Sequence, residues 1–252
     1  MKRQRVDYSG LSLRSLTDPK FSHILLLLGW FVYFGFYFIT ENLIPESRFH
    51  EIHCAMDDII PFNEIFLIFY IGWYLLIAGA LLYTLLYDVD AFRSLQTFII
   101  ITQILGVIIY IVYPSVQYLR PDPFPRDNLF TRILGLIYRF DTNTGVFPSM
   151  HVAFSLAVLS AGLKDRYLKA YQKIALIITV IMICLSVCFV KQHSFLDVIG
   201  AIPVCLAAEL IVYGRKYWLP AFRHDGNRES KEAAGKEDKW EEKSETARTA
   251  HI

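Results

Sequence analysis

Cysteine is scarce and scattered here. Cys54, Cys184, Cys188 and Cys205 are the only four in 252 residues, and three of them sit inside apolar stretches. That pattern implies no disulfide framework and reads as small buried hydrophobes. Charge is missing from long runs as well, with none between Glu64 and Asp88 and none from Ser94 to Tyr113. No basic stripe accompanies the formal net charge of +1, so no nucleic-acid partner is expected. No ten-residue dyad repeat marks a membrane barrel. No internal repeat or break within an apolar run marks a transporter. No cluster has convincing metal-ligand spacing. The nearest approach is His50, His53, Cys54 and Asp57-Asp58, which reads as a connector contacting lipid headgroups. Finally, no small-residue cleavage site follows the first apolar run, which favours a retained signal-anchor over a cleaved signal peptide.

What is abundant is apolar side chain. Hydrophobic residues make up 54% of the chain and aromatics 15%, with mean hydropathy +0.37, more than a soluble domain of this size needs. Six segments approach the roughly 20 residues that a helix needs to cross about 30 Å of hydrocarbon. They lie near 22–40, 64–87, 94–113, 147–163, 172–190 and 195–214. The expected fold is therefore all-α: a polytopic membrane protein with a six-helix bundle over 22–215. A cytoplasmic segment over 1–21 precedes it and a charged, disordered cytoplasmic tail over 216–252 follows. Helices are expected because an open sheet edge has no hydrogen-bond partners in lipid.

Six spans put both termini on one side. Lys2, Arg3, Arg5, Arg14, Lys20, Arg93, Lys164, Arg166, Lys169, Lys173, Arg215, Lys216 and Arg223 share that side, against Arg48, Arg120, Arg126, Arg132, Arg139 and Lys191 opposite. The excess of basic residues makes the termini cytoplasmic. The third span then ends, the fourth begins, the fifth ends and the sixth begins at one non-cytoplasmic face, which in the plasma membrane is the outside.

Two polar helix openings meet at that face: Phe147-Pro148-Ser149-Met150-His151 and His193-Ser194-Phe195-Leu196-Asp197. Ionisable residues at the mouth of a membrane helix are costly and mark candidate functional sites. His193 and Asp197 are four apart and share a helix face. A carboxylate there sets the imidazole tautomer and leaves the other ring nitrogen to attack or accept a proton, although the same pair can simply staple a helix. Pro148 suits a first helical turn. The amides that follow, Met150 among them, form an anion seat at the positive end of the helix dipole. Ser149 is expected to act from the cap position and His151 from the first turn, as an acid toward a leaving oxygen. Arg120, held extended by Pro121, carries the side chain best matched to phosphate. Lys191 is either a snorkelling anchor or a further phosphate contact. Together these are parts for phosphoryl transfer without a metal.

In order and position, Arg120-Pro121, Pro148-Ser149-Met150-His151 and His193-Ser194-Phe195-Leu196-Asp197 resemble the three motifs of the type-2 phosphatidate phosphatase superfamily, across about residues 20–215. The resemblance implies His193 as nucleophile forming a phosphohistidine, Asp197 orienting it and His151 protonating the leaving group. It also implies Arg120 and Ser149 holding phosphate oxygens, with no metal or organic cofactor. Three positions depart from the family pattern. Tyr113 stands where a lysine is usual, Met150 where a glycine is usual, and Val187 where an arginine is usual. The approach to the second histidine through Lys191 is similar to the branch of inositol-phosphorylceramide synthases, which transfer to an alcohol. The expected activities are thus a lipid phosphatase acting on a lipid phosphate or diphosphate, or a phosphotransferase. A non-catalytic transporter or scaffold is the third reading. The segment 128–140 (Leu129, Phe130, Arg132, Ile133, Leu134, Leu136, Ile137, Arg139) has the pattern of an interfacial helix roofing the site.

Overall fold

The computed structural model describes residues 4–220. The apolar segments are helical. A 3-10 turn, Ser22–Leu27, leads into α1 (Leu28–Leu43). It is followed by α2 (Ala55–Ile59), α3 (Leu67–Tyr87), α4 (Val89–Val112), α5 (Leu129–Phe140), α6 (Met150–Lys164), α7 (Ala170–Phe189) and α8 (Phe195–Tyr213). Among the described residues the strands are β1 (His50–Glu51) and β2 (Ser115–Val116), paired in parallel. A first compact unit ends at Glu209 and contains the whole candidate site. After it come the end of α8 and a π-helical turn, Gly214–Trp218. The rest of the expected tail, 221–252, lies outside the described residues.

Among the described residues, five helical stretches are long and apolar enough to cross a membrane: Ser22–Leu43, Glu64–Tyr87, Val89–Val112, Ala170–Phe189 and Phe195–Trp218. This is the make-up of a multi-pass membrane protein. Their outer faces carry large apolar side chains, such as Phe31 and Leu75, both 75% exposed, that only lipid or another protein can cover. The segment expected over 147–163 is shorter than the others. Ser149 is extended (φ −69°, ψ 115°) and caps α6, its Oγ accepting the Val152 N–H at 3.5 Å. Phe147 and Pro148 therefore lie outside the helix, Pro148 is not in its first turn, and α6 has 15 residues, about 22 Å. The third apolar segment starts earlier than expected, at Val89, because Asp88 caps α4 by accepting the Ala91 N–H at 2.9 Å.

Backbone contacts sort the helix ends. At one end the N-terminal segment meets the α3–α4 turn, Val6 N–H donating to Leu86 O at 2.8 Å and the Tyr8 hydroxyl to Leu85 O at 2.7 Å. At the other, Asn63 N–H donates to Phe189 O at 2.9 Å and Ser149 N–H to Asp197 O at 3.0 Å, while Thr142 donates to Glu41. So the ends of α1, α4 and α7 gather with the starts of α3, α6 and α8. Helix α6 packs on α3, α4 and α7 and runs parallel to α8. The Ser149–Asp197 contact ties the two at one end, and the Lys164 Nζ–Glu209 Oε1 ion pair, 2.6 Å, ties them at the other. Gly200 of α8 makes room for Phe147: a Cβ there would lie 2.4 Å from the ring.

The segment 128–140 is a helix, α5. Asn128 and Thr131 form its capping box, Thr131 N–H to Asn128 Oδ1 at 3.1 Å and Asn128 N–H to Thr131 Oγ1 at 3.0 Å. Leu134 and Thr131 are buried, whereas Leu129, Leu136 and Phe140 are exposed.

Candidate active site

The tight turn between α7 and α8 builds the first half of the site. Gln192 N–H and His193 N–H both donate to Val187 O at 3.0 Å, and Lys191 takes the left-handed conformation (φ 55°) that the reversal requires. Val187, where a cation was expected, is fully buried and serves through its carbonyl. The start of α8 is capped twice. Asp197 Oδ2 accepts the Ser194 N–H at 3.0 Å. Asp57, arriving from α2, accepts the Phe195 N–H at 2.7 Å and the Ser194 hydroxyl. Burial alone raises the Asp57 carboxyl, but these bonds and the one from Cys54 N–H outweigh it and hold the group below its ordinary value. His193 Nδ1 lies 3.1 Å from Asp197 Oδ2, so the imidazole is oriented through Nδ1.

The start of α6 builds the second half. The Tyr110 hydroxyl donates to Pro148 O at 2.9 Å, and Val146 and Phe147 N–H groups donate to Ser115 Oγ at 3.1 and 2.9 Å. The His151 ring packs against Trp73 (centroids 4.3 Å) and Tyr70 (4.7 Å). It stands 5.7 Å from the His193 ring at an interplanar angle of 65°. The two histidines, 42 positions apart in the sequence, are thus neighbours.

The cationic side chains are arranged differently. Arg120 lies over the Tyr138 ring, 4.5 Å from its centroid. Its guanidinium donates to Tyr138 O at 3.0 Å and to Asp141 O and Thr142 O, both at 2.7 Å. Burial lowers the Arg120 pKa from its ordinary value, and the nearby Asp141 charge opposes that shift. Lys191 Nζ donates to Asp57 O at 2.7 Å and Ile60 O at 2.6 Å. Both cations clamp backbone carbonyls, at helix ends and in loops, around the site. Tyr113, the other position where a cation was expected, stacks on His50 (4.5 Å, 3°).

A cavity of about 430 Å³ opens beside the histidines. Its polar end is lined by Asp141, Thr142, His151, Gln192 and His193, and its apolar end, between α1 and α3, by Phe34, Ile77 and Leu81. Met150 also lines it, whereas Arg120, Ser149, Lys191 and Asp197 do not. Ser149 and Asp197 are fully buried behind it. Three lining side chains hold buried polar atoms without a hydrogen-bond partner: Trp73 Nε1, His151 Nε2 and Gln192 Oε1. Arg120 Nε and Asp197 Oδ1 share that condition nearby. Native proteins rarely leave such atoms unpaired, and several on one cavity wall suit a polar ligand.

Four contributors, Asp141, Tyr70, Gln192 and Asp57, were not legible in the sequence. Asp141 Oδ2 accepts from the Tyr70 hydroxyl at 2.7 Å and from Gln192 Nε2 at 2.9 Å, which brings α3, the end of α5 and the α7–α8 turn to one carboxylate. The only available signal was that Gln192 adjoins His193. The 50–58 connector faces inward through Asp57, while His53 pairs with Asp58 at 2.9 Å on the surface. Among the described residues no group of three or more histidine, cysteine or acidic side chains is placed to hold a metal ion.

No family model, curated protein or solved structure matches this chain.

Proposed function

We propose that this protein is a membrane-embedded phosphoryl-transfer enzyme acting on a lipid phosphate, in the manner of the type-2 phosphatidate phosphatases its motifs resemble. In this reading α6 completes a sixth crossing together with Phe147–Ser149, both termini are cytoplasmic, and the site faces the non-cytoplasmic side of the plasma membrane. The single observation that carries the reading is His193: its Nδ1 is tied to Asp197 at 3.1 Å and its ring lines the cavity beside His151. His193 Nε2 bonds to phosphorus as the phosphorus–oxygen bond to the leaving group breaks, and His151 gives that oxygen its proton. Water or an alcohol then attacks the phosphohistidine, passes its proton to His151 and releases His193. Imidazolium formed at His193 is stabilised by Asp197.

Transfer to an alcohol has one observation in its favour. Among the described residues, no arginine or lysine lines the cavity. A phosphomonoester brings up to two negative charges to such a wall, while a phosphodiester, the donor for headgroup transfer, brings one.

The test uses purified protein in detergent with a panel of lipid phosphates, following both phosphate release and transfer to added alcohols in the presence of a chelator. Turnover that survives chelation, is blocked by vanadate and disappears in a folded His193→Ala variant is expected. Full activity in that variant overturns the nucleophile, and loss of activity on chelation overturns the metal-free route.

A further inference from the structure

Among the described residues, the only acidic or basic side chain on the cavity wall, the histidines aside, is a carboxylate. Asp141 lines the polar end, and the partners of its Oδ2 are the neutral Tyr70 hydroxyl and Gln192 amide. The closest guanidinium group contact in this loop, from Arg120, goes to the Asp141 backbone carbonyl at 2.7 Å, not to the carboxylate. Around this end stand aromatic faces. Tyr33 and Tyr37 are stacked at 6.0 Å, Tyr37 and Tyr110 meet edge to face at 6.2 Å, and Trp73 closes the side next to His151. Gly145 takes the left-handed backbone (φ 60°) that carries the loop past these rings, a conformation that favours glycine.

A hydrocarbon tail has no use for an aspartate, and a bare phosphate is repelled by one. A cation is drawn both to the carboxylate and to the negative faces of the rings. A zwitterionic lipid sets its phosphate at His193 and its cation beside Asp141, so that the carboxylate meets the cation and not the anion. We propose that this end of the cavity is a headgroup subsite for an ammonium group, primary or quaternary, so that the preferred substrate is a zwitterionic phosphodiester lipid. The inference rests on phosphoryl transfer at His193. The tail of the same lipid lies toward Phe34, Ile77 and Leu81.

Two measurements separate the headgroup question from the chemistry. In the first, wild-type protein in an uncharged detergent turns over lipids of identical acyl chains bearing choline, ethanolamine, glycerol, inositol or no headgroup alcohol. The choline or ethanolamine lipid is expected to lead the glycerol and inositol lipids and phosphatidate by about tenfold or more in kcat/KM. Asp141→Asn is expected to erase most of that ratio, and Tyr37→Leu to reduce it should the first variant fold poorly. In the second, dihexanoyl phosphocholine and dihexanoyl phosphoglycerol are titrated into folded His193→Ala, with the fluorescence of the lining Trp30 and Trp73 as readout. Tighter binding of the phosphocholine is expected. Equal or tighter binding of the phosphoglycerol, or equal or faster turnover of a neutral-headgroup lipid or phosphatidate, overturns the ammonium subsite and leaves the transfer chemistry standing. Absence of turnover with every lipid overturns the chemistry, and the binding titration then decides the headgroup by itself.

Discussion

Asp197 serves His193 and Ser149 at once: its Oδ2 lies 3.1 Å from His193 Nδ1, and its backbone carbonyl accepts the Ser149 N–H at 3.0 Å. One residue at the start of α8 thereby orients the proposed nucleophile and sets the start of α6, from which the proposed acid His151 projects. Asp197→Asn keeps the backbone contact and changes what the imidazole meets at Nδ1. We expect kcat to fall about 10²- to 10⁴-fold with little change in thermal unfolding. Wild-type kcat in this variant would remove Asp197 from the mechanism.

Arg120 distinguishes a loop clamp from a phosphate ligand. Its planar fork meets three carbonyls, a geometry that an ammonium does not reproduce. Arg120→Lys is expected to lower thermal stability, by about 1–3 kcal/mol for carbonyls left unpaired, together with kcat/KM. An unchanged melting temperature with a raised KM would instead mark Arg120 as a direct substrate contact.

Lys191 poses the same question at the α7–α8 turn. Asparagine tolerates its left-handed backbone but cannot span to Asp57 O and Ile60 O. Lys191→Asn should therefore cost stability, about 1–3 kcal/mol for each buried carbonyl left without its donor, as read by denaturation in detergent. A variant as stable as wild type would refute the clamp.

Asp57 gives the start of α8 a pH dependence. Its folded-state pKa lies below the ordinary 3.8, so its stabilisation is complete above that value and is lost as pH falls through the lower, folded one. The stability difference between wild type and Asp57→Asn should be full at pH 6 and shrink below pH 3.8. A difference that grows on acidification would contradict the assignment.

Gly200→Ala tests the α6–α8 seam. The added Cβ meets the Phe147 ring at 2.4 Å and must push it from its seat just ahead of Pro148 and Ser149. A loss of about 1–3 kcal/mol is expected, with activity falling as the start of α6 shifts. Unaltered stability would show that the ring moves freely.

Composition and periodicity alone determined that the chain is helical and lipid-facing, because uncharged apolar runs such as 65–87 suit a helix in lipid and little else. They also determined the four-residue spacing of His193 and Asp197, although His193 stands in the turn ahead of α8 and not on the helix face that spacing predicts, and reaches Asp197 Oδ2 from there. The amphipathic pattern of 128–140 was local too, and it appears as α5 with its own capping box. The length of α6 was not legible, since Ser149 ends the irregular segment before it through a contact to Asp197 in another helix. Nor were the uses of Arg120 and Lys191: a cation beside a span reads the same whether it meets lipid, phosphate or a loop carbonyl. Only the tertiary structure decided those partners, turned Asp57 from a surface connector into the cap of α8, and carried Asp141 to the cavity wall. Each of these depends on chain segments at least 18 positions apart. Contacts at that range are set by how helices pack, which no local pattern encodes.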